Sequence, residues 1–223
     1  MTTQTIKVYR DLLEVDAQWT VKTRLLLKER HAAMINMIGS PGCGKTALLE
    51  RTLSELQGRL RLAVLEGDLE TTRDAERIQV YNIPVAQLLT GGGCHLEAGM
   101  VHTALLDLPA TPLDLIVVEN VGNLVCPSEF DLGESAKVAV LSITEGEEKP
   151  LKYPLLFREA GAVVITKLDL LPHLRYNLPL CLEHIRQVNP QATIFPLSAW
   201  TGEGMDAWVN WINDMVRAAG GGK

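Results

Sequence analysis

The run Gly39-Ser40-Pro41-Gly42-Cys43-Gly44-Lys45-Thr46 constrains this chain more than any other stretch. It fits G-x-x-x-x-G-K-S/T, a glycine-rich loop whose backbone N–H groups surround phosphate oxygens. The pattern carries this meaning between a strand and a helix, and the flanks comply. Met34 to Ile38 (MINMI) reads as a short buried strand. Lys45 to Gln57 reads as a helix, with Leu49, Leu53 and Leu56 on one face and Gly58 past its end. Lys45 is then a point charge near the β- and γ-phosphates and Thr46 a ligand for Mg²⁺. Gly39, Ser40, Gly42, Cys43, Gly44 and Ala47 complete the expected phosphate cradle at the helix N-terminus.

Further strands and helices alternate down the chain. Leu62 to Leu65 (LAVL) reads as a strand running into Glu66-Gly67-Asp68, and Ile83 to Leu89 holds a short strand before Gly91-Gly92-Gly93. A helix is expected from about His95 to Leu106. Leu115 to Val118 (LIVV) is a buried strand ending at Glu119, followed by strands at Val138 to Ile143, Ala162 to Thr166 and Ala192 to Leu197. A helix from about Gly204 to Arg217 closes the series. The expectation is an α/β P-loop NTPase fold, a mostly parallel sheet with helices on both faces. Residues 34–219 form its GTPase domain with a metal site, and 223 residues suit one such domain. Residues 1–33 are expected to form a helical arm with Leu12, Val15, Trp19 and Leu26 on one face, and 220–223 a flexible tail. In such sheets ligand chemistry lies beyond the carboxyl ends of the strands, where the P-loop, Asp68, Glu119 and Asp169 all fall.

Composition narrows the function classes. A net charge of −6 without a basic stripe, and only 5% aromatics, speak against nucleic acid or an anionic membrane as partner. No run reaches the roughly 18 apolar residues of a spanning helix, and MTTQTIKVYRDLLEV lacks the apolar core of a secretory signal, so the expectation is cytoplasmic. Four cysteines in a chain of this size make no disulfide framework. Cys43 and Cys181 read as structural.

The base is read from Thr166-Lys167-Leu168-Asp169, directly after the strand AVVIT. It resembles the guanine-reading N/T-K-x-D element of GTPases. An Asp carboxylate accepts both N–H donors of guanine's N1/N2 edge, whereas adenine leaves it unpaired at high cost. Ser198-Ala199 after a later strand resembles the S-A-K element, with Trp200 replacing the usual Lys. Glu119 is placed to reach Mg²⁺, directly or through water, and equally suits a cap for the next segment. Asp68 suits the metal shell, the orientation of the attacking water, or a helix cap. Lys45, Asp68 and Glu119 are thus the catalytic candidates. No cis arginine is evident, which implies slow intrinsic turnover.

Gly91-Gly92-Gly93-Cys94-His95 is the second unusual run. A thiolate beside an imidazole suits Zn²⁺ or Ni²⁺, and a helix starting here would lower the Cys94 pKa. Cys126, in VGNLVCP, leaves the same end of the sheet, so Cys94, His95 and Cys126 are candidate ligands. The plain alternative is that each cysteine is a small hydrophobe. Three ligands leave the shell open to water or to a second subunit across a twofold axis.

With GSPGCGKT, EGDLETTRDAERI, LLTGGGCHLEAGMV, VVENVGNLVCPSEFDLGE, TEGEEKPLKYP, ITKLDLLP and LSAWTGEGMDAW in hand, the chain resembles the nickel-incorporation GTPases of NiFe-hydrogenase maturation, the HypB family. The sister urease GTPases share the P-loop but match the glycine-cysteine-histidine run and ENVGNLVCP less well. The resemblance implies a homodimeric GTPase that carries nickel or zinc on Cys94, His95 and Cys126. It implies delivery with a small zinc-containing partner to the hydrogenase large subunit. It also implies that TEGEEKPLKYP couples nucleotide state to the dimer face, with Lys149 as an intersubunit charge, although the run also reads as a solvated loop. Some family members begin with a Cys-rich or His-rich metal motif; residues 1–33 hold no Cys and one His, so nickel storage there is not expected.

Three functional readings follow. The first is a GTP-controlled nickel carrier, or its urease-type counterpart. The second is a zinc-bridged, metal-sequestering dimer with incidental GTPase activity. The third is a small-molecule kinase, against which the T-K-x-D element argues.

Overall fold

The structure, a computed structural model, describes residues 2–68, 77–109 and 111–222, with side chains of the first helix from Asp16 onward. Residues 69–76 of the run EGDLETTRDAERI and the side chains of Leu12 and Val15 lie outside the described residues.

Seven strands form one sheet: β1 (Ala33–Gly39), β2 (Leu62–Asp68), β3 (Val85–Leu89), β4 (Leu115–Glu119), β5 (Ala136–Ser142), β6 (Ala162–Thr166) and β7 (Thr193–Pro196). Their order is β3-β2-β4-β1-β5-β6-β7, and every pairing between them is parallel. The helices are α1 (Thr2–Arg30), α2 (Lys45–Leu56), α3 (Ala98–Asp107), α4 (Cys126–Glu129), α5 (Lys149–Lys152), α6 (Pro154–Glu159), α7 (Leu178–Val188) and α8 (Met205–Ala218), with a 3-10 turn at Leu168–His173.

Alternation along the strands sorts the core into layers. Ala33, Ile35 and Met37 join Val64, Val117, Val140 and Val164 beneath α2 and α8. Leu49, Leu53 and Leu56 of α2 all bury on this face, together with Trp208 and Ile212 of α8. Trp208 is fully buried, and its Nε1–H finds Thr52 Oγ1 at 2.9 Å, so no polar group is stranded. On the opposite face Met34, Leu65 and Val118 pack with Leu27 of α1 and Val101 and Leu105 of α3. Ala139, Leu141, Val163 and Ile165 pack with Phe157 of α6 and Cys181 and Ile185 of α7.

The long helix α1 lies along α3. Trp19 tilts against His102 at 5.2 Å, Thr23 Oγ1 meets His102 Nδ1 at 3.2 Å, and Arg30 Nη1 donates to the Leu105 carbonyl. Leu26 is partly buried on the same cluster. Among the described residues no helix is long and apolar enough to cross a membrane.

Residues 220–222 are tied down. Gly221 N–H donates to the Val216 carbonyl and Gly222 N–H to Asp114 Oδ1 at 2.9 Å. Asp114 is buried at 2% exposure and also accepts from the backbone N–H, Nε and Nη2 of Arg61. The Arg61 guanidinium holds its carboxyl well below the usual carboxylate range. Asp114→Ala strips these donors of their acceptor and should cost about 3 kcal/mol. In a domain of this size that lowers the melting midpoint by about 6–12 °C, measurable by calorimetry. Because the folded pKa is depressed, the wild-type advantage is full above about pH 4 and shrinks as the pH falls below it.

Candidate functional site

The carboxyl ends of the parallel strands build the site. β1 is flanked by β4 and β5, so the chain reverses its winding around β1, and a crevice opens at its carboxyl end. The P-loop fills that crevice. Gly42 and Gly44 take φ of 74° and 96°, a region that a side chain would strain. Gly39 is closed in differently: a Cβ there would meet the Val140 carbonyl at 2.5 Å and the Cys43 sulfur at 2.6 Å. Cys43 is buried beneath the loop, and burial pushes its thiol up to about 11, so it stays neutral. Lys45, only 7% exposed, sets its Nζ 3.2 Å from the Gly39 carbonyl. Ser40 and Ala47 lie at the loop surface and on the first turn of α2.

The expected Mg²⁺ residues meet in part. Thr46 Oγ1 donates to Glu119 Oε1 at 2.8 Å, joining the first turn of α2 to the end of β4. In the parallel register Glu66 of β2 lies beside Glu119, which sets Asp68 two residues further along its strand. Glu66 is buried at 2% exposure; an acidic residue inside a strand end gave no separate signal in the sequence.

The two elements expected to read the base converge at β6 and β7. Thr166 Oγ1 donates to the Cys43 carbonyl at 2.6 Å and Lys167 Nζ to the Gly42 carbonyl at 2.7 Å, tying this element to the P-loop. Lys167 adopts φ 61°. Ser198 Oγ donates to Asp169 Oδ1, which brings the two sequence elements into one clasp. Ala199 is half-buried beside it, and Trp200 is 87% exposed.

Cys94, His95 and Cys126 also come together, their ligand atoms all within 4.8 Å of one another. Cys94 Sγ lies 3.7 Å from His95 Nδ1. The His95 ring is held flat against Phe130, centroids 3.8 Å apart, a partner the sequence did not suggest. One expectation is corrected. The helix expected from about His95 begins at Ala98, whose N–H is taken by the Asp16 carboxylate at 3.0 Å. No helix dipole therefore acts on Cys94. Its thiol is raised, chiefly by the hydrogen bond it shares with Cys126. The distant Asp16 supplies the cap, which local pattern could not reveal.

Lys149, at the start of α5, sets its Nζ 3.3 Å from Ser40 Oγ of the P-loop and 3.4 Å from a Glu145 carboxylate oxygen. His184 Nδ1 lies 2.9 Å from the Glu147 carbonyl of the same segment.

Comparison with known proteins gives this arrangement a family. The CobW/HypB/UreG nucleotide-binding domain matches residues 33–196. Hydrogenase maturation factor HypB of Escherichia coli is 45% identical over 207 residues, 93% of this chain and 71% of that protein. The factor from Azotobacter vinelandii is also 45% identical, over 93% of this chain and 68% of its own length. HypB of Archaeoglobus fulgidus superposes with a TM-score of 0.85 at 32% identity, covering 91% of this chain and 99% of that one. HypB of Helicobacter pylori, solved in complex with nickel, superposes at 0.84 and 32%, covering 91% and 95%. On the strength of its P-loop, its strand order and identity sustained over nearly its whole length, this chain belongs to the HypB family of hydrogenase maturation factors, within the CobW/HypB/UreG nucleotide-binding proteins.

Proposed function

We propose that this protein is a GTPase that carries nickel for NiFe-hydrogenase maturation and loads or releases it according to the nucleotide bound. The observation that carries the reading is the convergence of Cys94, His95 and Cys126 at the far end of the segment that starts at Glu119. A thiolate–imidazole–thiolate set suits Ni²⁺ and Zn²⁺ alike. Its three ligands leave room for a fourth from water or a second copy, which suits a site that must give up its metal. The nickel complex of the Helicobacter pylori relative agrees.

The nucleotide half works by positioning and charge. Asp169, held by Ser198, accepts from the guanine edge. Lys45 and the loop N–H groups hold the phosphates and stabilise the charge that develops as water attacks the γ-phosphorus and GDP leaves. Thr46 and Glu119 are the residues to hold Mg²⁺, which would neutralise phosphate charge there. Asp68, at the rim, orients the attacking water or completes the metal's shell. A change at the γ-phosphate then reaches Cys126 through the six residues that separate it from Glu119. An allosteric coupling of about 1–3 kcal/mol, roughly 5- to 150-fold in nickel affinity, suffices to bias loading against release. The acceptor is the hydrogenase large subunit, reached with a small zinc-containing partner.

The test is an equilibrium Ni²⁺ titration of the intact protein and Cys94→Ser, each with GDP and with a non-hydrolysable GTP analogue, while molecular mass is followed. A nucleotide-dependent affinity that the substitution abolishes is expected, with dimer formation at saturation. Affinity and mass indifferent to the nucleotide would sink the reading. Loss of the dimer on chelation, with no transfer of nickel to any acceptor, would favour a zinc-bridged structural dimer.

A further inference from the structure

Cys94 and the P-loop lie on different loops, and one residue meets both, the start of the P-loop with its backbone and the Cys94 loop with its side chain. Asn123 pairs with Gly39 in an isolated antiparallel bridge, so its backbone lies against the end of β1 where the P-loop starts. Its Nδ2 donates to the Cys94 carbonyl at 3.2 Å, and its Oδ1 accepts from Val125 N–H at 2.9 Å, one residue before Cys126. The Val125 N–H must meet an oxygen, so the amide orientation is fixed and its NH₂ group is directed at Cys94. The preceding Gly122 is wedged against the same loop: a Cβ there would meet Pro41 atoms at 3.0 to 3.2 Å. A movement of Ser40-Pro41 therefore presses on Gly122-Asn123, and Asn123 holds the carbonyl of one metal residue and the approach to another.

We infer that Asn123 is the positioning residue that transmits nucleotide state to the metal site, by coupling the backbone of the P-loop to the Cys94 carbonyl and to the start of α4. This inference rests on the nickel-carrier reading above, and adds to it which side chain makes the link. Asn123 touches neither phosphate nor metal in this role. It fixes how far Cys94 stands from Cys126, and so sets metal affinity through backbone placement, as supporting groups around metal ligands do. Two half-buried residues, Gly122 and Asn123, thus do what a longer chain of contacts does elsewhere.

Asn123→Asp keeps the acceptor for Val125 N–H but removes the donor to Cys94, whereas Asn123→Ala removes both. The experiment titrates Ni²⁺ into wild type and both variants with GDP and with a non-hydrolysable GTP analogue, reading the thiolate-to-nickel charge-transfer band. Melting midpoints report the fold. Wild type should show an affinity ratio between the two nucleotide states of at least about fivefold. In both variants that ratio should fall to within about twofold of unity while nickel still binds. Variants that keep the wild-type ratio overturn the assignment and leave the carrier reading standing. Loss of nickel binding in both nucleotide states by a folded variant also overturns it, since Asn123 would then be a prop of the site and not its link. A wild-type ratio of one removes the carrier reading first, and this inference with it.

Discussion

Asp169→Asn should lower GTP affinity by about 10⁴-fold and raise the affinity for xanthosine triphosphate. The carboxylate of Asp169 offers only acceptors, which suits the two N–H donors on the guanine edge. An amide places an NH₂ group against one of those donors, and a buried donor facing a donor loses the bond and stays desolvated. Xanthine carries a carbonyl where guanine carries the amino group, so the amide restores the match. Ser198 Oγ, which donates to Asp169 Oδ1, keeps its acceptor in the substituted side chain. The clasp therefore survives and only its polarity changes. Fluorescent-nucleotide competition measures both affinities. Undiminished GTP binding by the variant would mean that Asp169 does not read the base, and the small-molecule kinase alternative would regain ground.

Cys126→Ser should weaken nickel binding by more than about 100-fold in either nucleotide state. Loss of a supporting partner around a metal ligand already costs about 10- to 100-fold, and here a ligand itself is replaced by a hard, protonated hydroxyl. Cys126 opens the short helix α4, where Pro127 at the first turn needs no hydrogen-bond donor, so the helix start tolerates the change. The side chain is half-buried, and the melting midpoint should move by no more than a few degrees. Titration with a competing chelator measures the affinity. Retention of wild-type affinity would show that Cys94 and His95 bind with ligands other than Cys126.

The two predictions differ in how far the sequence carried them. GSPGCGKT announced its own geometry because the motif is local: eight consecutive residues fold on themselves between a strand and a helix. The T-K-L-D and Ser198-Ala199 elements were legible for a similar reason, since each follows a recognisable apolar strand. Cys94, His95 and Cys126 were legible as residue types, but the reason offered for Cys94 was wrong. The helix expected from about His95 starts at Ala98, whose N–H bonds Asp16 reaching across from α1. Asn123 stood inside a quoted motif and gave no signal, because its role lies in two hydrogen bonds and a backbone bridge that no spacing encodes. Lys149 was legible as a charge, yet only the fold sets it against Ser40 of its own P-loop.

The sequence by itself determined the phosphate loop and the α/β alternation, and it singled out Asp169, Cys94, His95 and Cys126 as candidates. Each is written in contiguous residues whose periodicity or chemistry has one economical outcome. The tertiary structure decided strand order, and with it that β4 lies beside β1, so that Glu119 meets Thr46 and the segment after it crosses the P-loop to Cys94. The physical reason is that a parallel sheet sets its neighbours by crossover connections, not by chain proximity. Residues 39, 94 and 123 are far apart along the chain, and they become adjacent only once the order β2-β4-β1 is fixed.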